Sequence, residues 1–291
     1  MKRAALFVLL FSVFLFLTFP HELIVRRLLL SRIPPDVGIT FSRVSPSLRP
    51  LGYRLLNVEL SHEPFRVRLD SMSVGIGWLG ALQFRLVGCG GTVNGSFVRG
   101  TAKDGEPSRD LEIALAEIDP SLCLDLGGPS IEGRFHGRIS LVGVGSGNPR
   151  DALGKLARSG SLSLEGENGV LSGYLPASRV VKPSGKRREP QPIGRWEFSR
   201  ARIDAEIKAD RLVVNRGEAE AEGLLWETDT ASIIVAGQSP RIQAELTAKR
   251  LEDSARSKAI IGLLPKSAAK DGRYRYRLTG PLSSVQITGL K

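Results

Sequence analysis

The chain has 291 residues, with 41 Lys and Arg against 30 Asp and Glu and a formal net charge of +11. This length holds one large domain or two small ones. Its basic residues are dispersed apart from the run KPSGKRR at 182–188 and a few arginines near the amino terminus. The aromatics, 6% of the chain, form no stacking motif interleaved with charge, which argues against a nucleic-acid partner and fits attraction to an anionic membrane surface better.

Lys2 and Arg3 precede an uncharged run from Ala4 to Phe19. Its apolar members Leu6, Phe7, Val8, Leu9, Leu10, Phe11, Val13, Phe14, Leu15, Phe16 and Leu17 are the candidate membrane anchor. A secretory signal shares the basic start and the apolar stretch but ends in a small-x-small step, and Phe16-Leu17-Thr18-Phe19-Pro20 has none. Sixteen residues at about 1.5 Å each reach about 24 Å, short of the roughly 30 Å hydrocarbon layer. Leu23, Ile24 and Val25 extend the run, and local thinning of the membrane covers the remainder. A buried soluble helix fits poorly, because the segment is apolar all round and precedes a strand-rich chain. The expectation is an uncleaved, single-pass anchor over residues 1–25. Lys2 and Arg3 nearly balance Arg26, Arg27 and Arg32, so charge favours an inside amino terminus only weakly.

Residues 26–37 are expected to form a membrane-proximal amphipathic helix and linker, since His21–Arg32 reads HELIVRRLLLSR and Pro34 and Pro35 end it. From Gly38 the hydrophobic period becomes two, and residues 38–291 are expected to be one β-rich domain. Tyr53–Leu60 predicts a strand, and Phe65-Val67-Leu69 alternates with Arg66-Arg68-Asp70. Met72, Val74 and Ile76 follow with the phase shifted by one, which predicts a bulge near Ser71. Leu82–Leu86 and Thr92–Arg99 predict a hairpin through the turn Gly88-Cys89-Gly90-Gly91. Further strands are predicted at Leu111–Leu115, Ile131–Val142, Leu162–Leu164, Ile203–Ile207, Leu212–Glu222, Ala231–Ala236, Ile242–Leu246, Tyr274–Leu278 and Val285–Ile287. Two short helices are predicted, at Asp151–Arg158 and Ala255–Leu264. The Pro- and Arg-rich stretch 179–193 reads as a loop. A dozen short strands with turns every 8–12 residues imply a sandwich, a barrel or an open antiparallel groove.

Chemistry is sparse. His21, His62 and His136 share no metal or catalytic spacing, and no nucleophile elbow occurs. Val142–Asn148 imitates a dinucleotide loop, but Asn148 stands where the third glycine belongs and no parallel βαβ pattern continues. Carboxylates such as Asp204, Glu206, Glu218, Glu220 and Glu222 alternate with small residues and read as wet sheet faces. No catalytic, cofactor or metal site is expected, and no enzymatic activity. Cys89 and Cys123 are either two unrelated thiols or a disulfide, which would close a loop of roughly 35 residues worth about 3–4 kcal/mol.

Several stretches together resemble a known pattern: FSRVSPSLRPLGYRLLNVEL at Phe41–Leu60, LDSMSVGIGWLGALQFRL at Leu69–Leu86, the following GCGGTVNGSF, GKLARSGSLSLEGENGVLSG at Gly154–Gly173, and YRLTGPLSSVQITG at Tyr276–Gly289. The chain is similar along most of its length to the type II secretion system protein N (GspN) family. It resembles, more remotely, the AsmA-like proteins of the bacterial envelope. The resemblance implies a non-enzymatic accessory of the secretion apparatus, held in the bacterial inner membrane by one span with its bulk in the periplasm and docked to other secretion-system proteins. The AsmA-like kinship implies an elongated, curled antiparallel sheet, a groove or sandwich, whose apolar inner face holds phospholipid acyl chains. Exposed edge strands would make oligomerisation easy.

Overall fold

The computed structural model describes residues 22–23, 25, 27, 38–62, 65–77, 80–101, 107–125, 130–144, 157, 159–172, 195–208, 210–228, 230–235, 241–267, 272–281 and 285–290. The anchor residues Leu6–Leu17, the loop 179–193 and the helix expected at 151–158, apart from Ala157, lie outside them. Among the described residues no helix is long and apolar enough to cross a membrane.

Seventeen strands form one antiparallel sheet. They are β1 Gly38–Thr40, β2 Arg43–Leu48, β3 Leu51–His62, β4 Phe65–Ile76, β5 Leu82–Gly88, β6 Gly91–Thr101, β7 Pro107–Ile118, β8 Leu124–Asp125, β9 Ser130–Val142, β10 Ser159–Ser172, β11 Trp196–Ile207, β12 Arg211–Ala221, β13 Leu224–Thr228, β14 Ala231–Ile234, β15 Arg241–Arg250, β16 Arg273–Pro281 and β17 Gln286–Gly289. The sheet is a meander. β1 and β2 are successive pieces of one edge beside β3. β5 and β8 share the far side of β4, and β13 and β14 fill one position between β12 and β15. Among the described residues no ladder joins β1 or β2 to β17. Most strands pair with the next along the chain, and every described strand belongs to this one sheet.

Alternation builds the ladders, and its interruptions mark where they bend. Leu55 and Val58, three apart on β3, enter the same apolar cluster, as do Leu69 and Met72 on β4. The phase slip expected near Ser71 therefore exists, but no residue is inserted: Leu56 pairs with Ser71 and Val58 with Leu69 in constant register. Asn57 lies between them at φ 50°, a left-handed conformation that Asn tolerates better than most residues. Its amide donates to Ser42 Oγ at 3.0 Å, where the edge breaks between β1 and β2. Glu117 on β7 and Asn168 on β10 take the same conformation, each at a shift in the pairing with β9. Such irregularities raise the local twist.

One α-helix, α1 at Ala255–Leu263, is described. Ser254 caps it by accepting the Ser257 N–H, and the Ser257 hydroxyl donates back to the carbonyls of Glu252 and Ser254. Arg256 ties α1 to the β12–β13 turn through Glu222, whose carboxylate also accepts the Glu197 N–H at 2.7 Å. Glu222, read from sequence as a wet carboxylate, has a side chain only 3% exposed. At the other end, Glu22, Leu23, Val25 and Arg27 are helical, and Val25 packs with Leu55, Val58 and Leu69.

Candidate functional site

Register decides what each face presents. One row, followed pair by pair, runs Pro46, Tyr53, Val74, Phe84, Gly95, Ile113, Ile139, Leu162, Ala205, Val214, Ala231, Ala244, Leu278 and Ile287. The row two residues along runs Leu48, Leu51, Ile76, Leu82, Phe97, Leu111, Leu141, Gly160, Ile207, Leu212, Ile233, Ile242 and Gly280. On the other side of the first row lie Val44, Leu55, Met72, Leu86, Val93, Leu115, Gly137, Leu164 and Ile203. No charged side chain enters any of the three. At about 4.8 Å per strand the first row is about 60 Å long, and rows lie about 7 Å apart.

The opposite face is mostly polar. Its rows include Ser47, Gly52, Gly75, Gln83, Ser96, Glu112, Ser140, Ser161 and Glu206. Ion pairs stitch its carboxyl-terminal half: Arg202 bridges Asp204 at 2.8 Å and Glu165 at 3.3 Å, and Arg277 meets Glu245 at 2.7 Å. The Ser163 hydroxyl and the Arg202 guanidinium both donate to Asp204 and hold its carboxyl below the usual range.

Burial along the apolar face is graded. Leu224, Ala248 and Tyr276 are 0%, 0% and 1% exposed. This end is aromatic, with Trp226 packed between Trp196 and Tyr276, and burial pushes the Tyr276 phenol up to about 12. It also holds two buried N–H groups without an acceptor, Trp226 Nε1 and Arg250 Nε. Register places them as diagonal neighbours, since Trp226 pairs with Ala248 and Leu224 with Arg250. In the middle, Ala157 is buried against Leu111 and Leu141. Aromatic rings lie over glycines on neighbouring strands, Phe84 over Gly95 and Phe198 over Gly169, where any Cβ would collide with the ring. At the far corner Leu48, Leu51, Ile76 and Leu82, consecutive members of one row, are 81%, 60%, 57% and 45% exposed.

Cys89 and Cys123 are joined by a disulfide with Cα atoms 4.9 Å apart. It fastens the β5–β6 turn to the segment that leads into β8. His136 accepts the Glu117 N–H through Nδ1 at 3.4 Å, a structural contact at the β7 irregularity. Among the described residues no three His, Cys, Asp or Glu side chains lie close enough to hold a metal ion. Sequence reasoning located the strands of the apolar face but not its continuity, which depends on register between strands far apart in the chain. Comparison with protein-family models, with characterised proteins and with solved structures finds no match for this chain.

Proposed function

We propose that the protein is an AsmA-like lipid-binding protein that carries acyl chains on the apolar face of its sheet, between membranes of a bacterial envelope. The observation behind this reading is the set of unbroken apolar rows on a sheet that no second sheet covers among the described residues. A strip about 60 Å long and about 14 Å wide amounts to about 800 Å², larger than the apolar patches that soluble monomers ordinarily leave in water. An antiparallel sheet solves this by packing one face against something. Val25, Ala157 and the aromatic end cover parts of it. Between these parts the row residues are half-buried, which suits an elongated, curled groove closing around thin chains. Each methylene taken from water contributes about 0.8 kcal/mol, so a dozen would hold a lipid firmly.

Residues 1–25 serve in this reading as the inner-membrane anchor that sets the body in the periplasm. The test is native mass spectrometry of the full chain extracted in mild detergent. Co-purified phospholipid at defined stoichiometry supports the groove, and a lipid-free protein refutes it. A second reading, an accessory of type II secretion, draws on the two edges formed by β1–β2 and β17, which offer backbone groups to a partner strand. Normal exoprotein secretion in a clean deletion strain would eliminate it.

A further inference from the structure

Where the β2–β3 turn meets β5, β6 and β7 lies a cavity of about 990 Å³, at the upper end of the range for small-molecule sites. Its polar lining is Gln83 and Arg85 from β5, Asn94 and Ser96 from β6, Glu112 and Ala114 from β7, and Arg138 from β9, with Phe84, Gly95 and Ile113 of the first apolar row between them. Arg85, Asn94, Ala114 and Arg138 form one cross-strand row. The two arginines are thus three strand spacings apart, about 14 Å. Ala114 between them has no side chain long enough to fill the gap.

Two features of this hollow suit an anionic ligand. Several arginines of the sheet are held in ion pairs, as at Arg202, Arg216 and Arg277. Arg49, Arg85 and Arg138 line the hollow and have no ion-pair or hydrogen-bond partner among the described residues. Glu112 is the single acid in the lining and leaves the balance cationic. The rim, moreover, is apolar: the β2–β3 turn and the end of β4 bring Leu48, Pro50, Leu51 and Ile76 to it, three of them among the most exposed large hydrophobics. Cations beside an apolar lip match a molecule with an anionic head and a hydrocarbon tail.

We propose that this hollow is a binding site for the phosphate group of an amphiphile, with Arg85 and Arg138 as its anion-binding pair and Leu51 and Ile76 as the seat of the adjoining alkyl chain. Guanidinium groups suit phosphate because their N–H forks match its oxygens and they stay charged at every physiological pH. Leu51 and Ile76 also belong to an apolar row, whereas Arg85 and Arg138 do not, so the arginine exchanges separate failure of this site from failure of the groove.

Calorimetric titration of the full chain in non-ionic detergent tests it with three soluble probes: hexyl phosphate, inorganic phosphate and hexanol. The expected result is saturable binding of hexyl phosphate, tighter than phosphate, with hexanol silent. Exchange of Arg85→Gln or Arg138→Gln should weaken it about tenfold each and the pair about a hundredfold. Leu51→Ser with Ile76→Ser should reduce hexyl phosphate to the affinity of phosphate. All four positions are exposed, and circular dichroism checks that the variants fold. Equal binding of the two phosphates with the same arginine dependence supports the site and assigns it to the free ion. No saturable binding, or binding indifferent to the arginine exchanges, overturns the proposal.

Discussion

Ile203→Asp puts a carboxylate in the middle of the apolar face without disturbing a packed core. Ile203 pairs with Leu164 and Gly217 and is 39% exposed, so the lipid-free protein already tolerates water at the site. The fold should lose no more than about 1 kcal/mol, as for partly exposed positions generally. An acyl chain lying over the face changes the accounting. The isoleucine gives up its remaining exposure to the chain, worth about 1 kcal/mol at the usual coefficient. The aspartate instead must shed its water or take up a proton, at a cost of several kcal/mol. The sum predicts at least a hundredfold loss of affinity, since about 2.7 kcal/mol is two decades. Val142→Asp is the matched control: Val142 is 40% exposed, but it pairs with Ser159 and flanks Leu141 on the other face. Displacement of a fluorescent fatty acid, read beside thermal melts of both variants, makes the comparison. Equal lipid binding by wild type and Ile203→Asp would refute the groove, and so would equal losses in the two variants.

Three further outcomes follow from the geometry. Exchange of Cys89 and Cys123 for serine should lower stability by about 3–4 kcal/mol, because the bridge closes a loop with a sequence separation of 34; urea unfolding of the double variant measures it. Tyr276 is held neutral by burial, with its pKa raised to about 12. Stability should therefore be complete below about pH 10 and fall as pH rises towards 12, by about 2–3 kcal/mol across that window. Alkaline melts of Tyr276→Phe should lack this component. Asp204 has its pKa lowered by Ser163 and Arg202, so it adds stability above the ordinary carboxylate pKa that is lost as pH falls through its own. Asp204→Asn should flatten the acid limb of the pH–stability curve and cost about 1 kcal/mol at neutral pH.

The strands were legible because alternation is a local signal. Phe65–Leu69, Ile131–Val142 and Tyr274–Leu278 each declare one wet and one dry side, and the structure places strands there. β13 was not legible: Leu224-Leu225-Trp226 is apolar without alternation, since Leu224 is buried and its neighbours are half-buried. β8 is two residues long and carries no period at all. Glu222 was misread because its partners, Glu197 and Arg256, lie 25 and 34 residues away. The arginine hollow was invisible for the same reason. Arg85 and Arg138 each look like the polar member of an ordinary alternating strand, and only the register through β6 and β7 places them in one row. In a meander each ladder is a local hairpin, but a face is the sum of every register along the chain, and one slipped pair anywhere would scramble it.

That dependence bears on why the pleat breaks where it does. Leu55 and Val58 could not both face the apolar side of a regular strand, nor could Leu69 and Met72. Asn57 in its left-handed conformation, held by the Ser42 hydroxyl, returns the alternation to phase, so both halves of β3 and β4 present their large side chains to one cluster. A sheet whose apolar face served no purpose would gain nothing from this correction, since arginine or serine at the out-of-phase positions would keep the ladder regular. The sequence instead retains the apolar residues and bends the backbone. Glu117 and Asn168 take the same left-handed conformation, there at shifts in the pairing with β9. Continuity of the dry face is thus maintained at some cost in regular pairing, as expected if that face is the surface on which the protein acts.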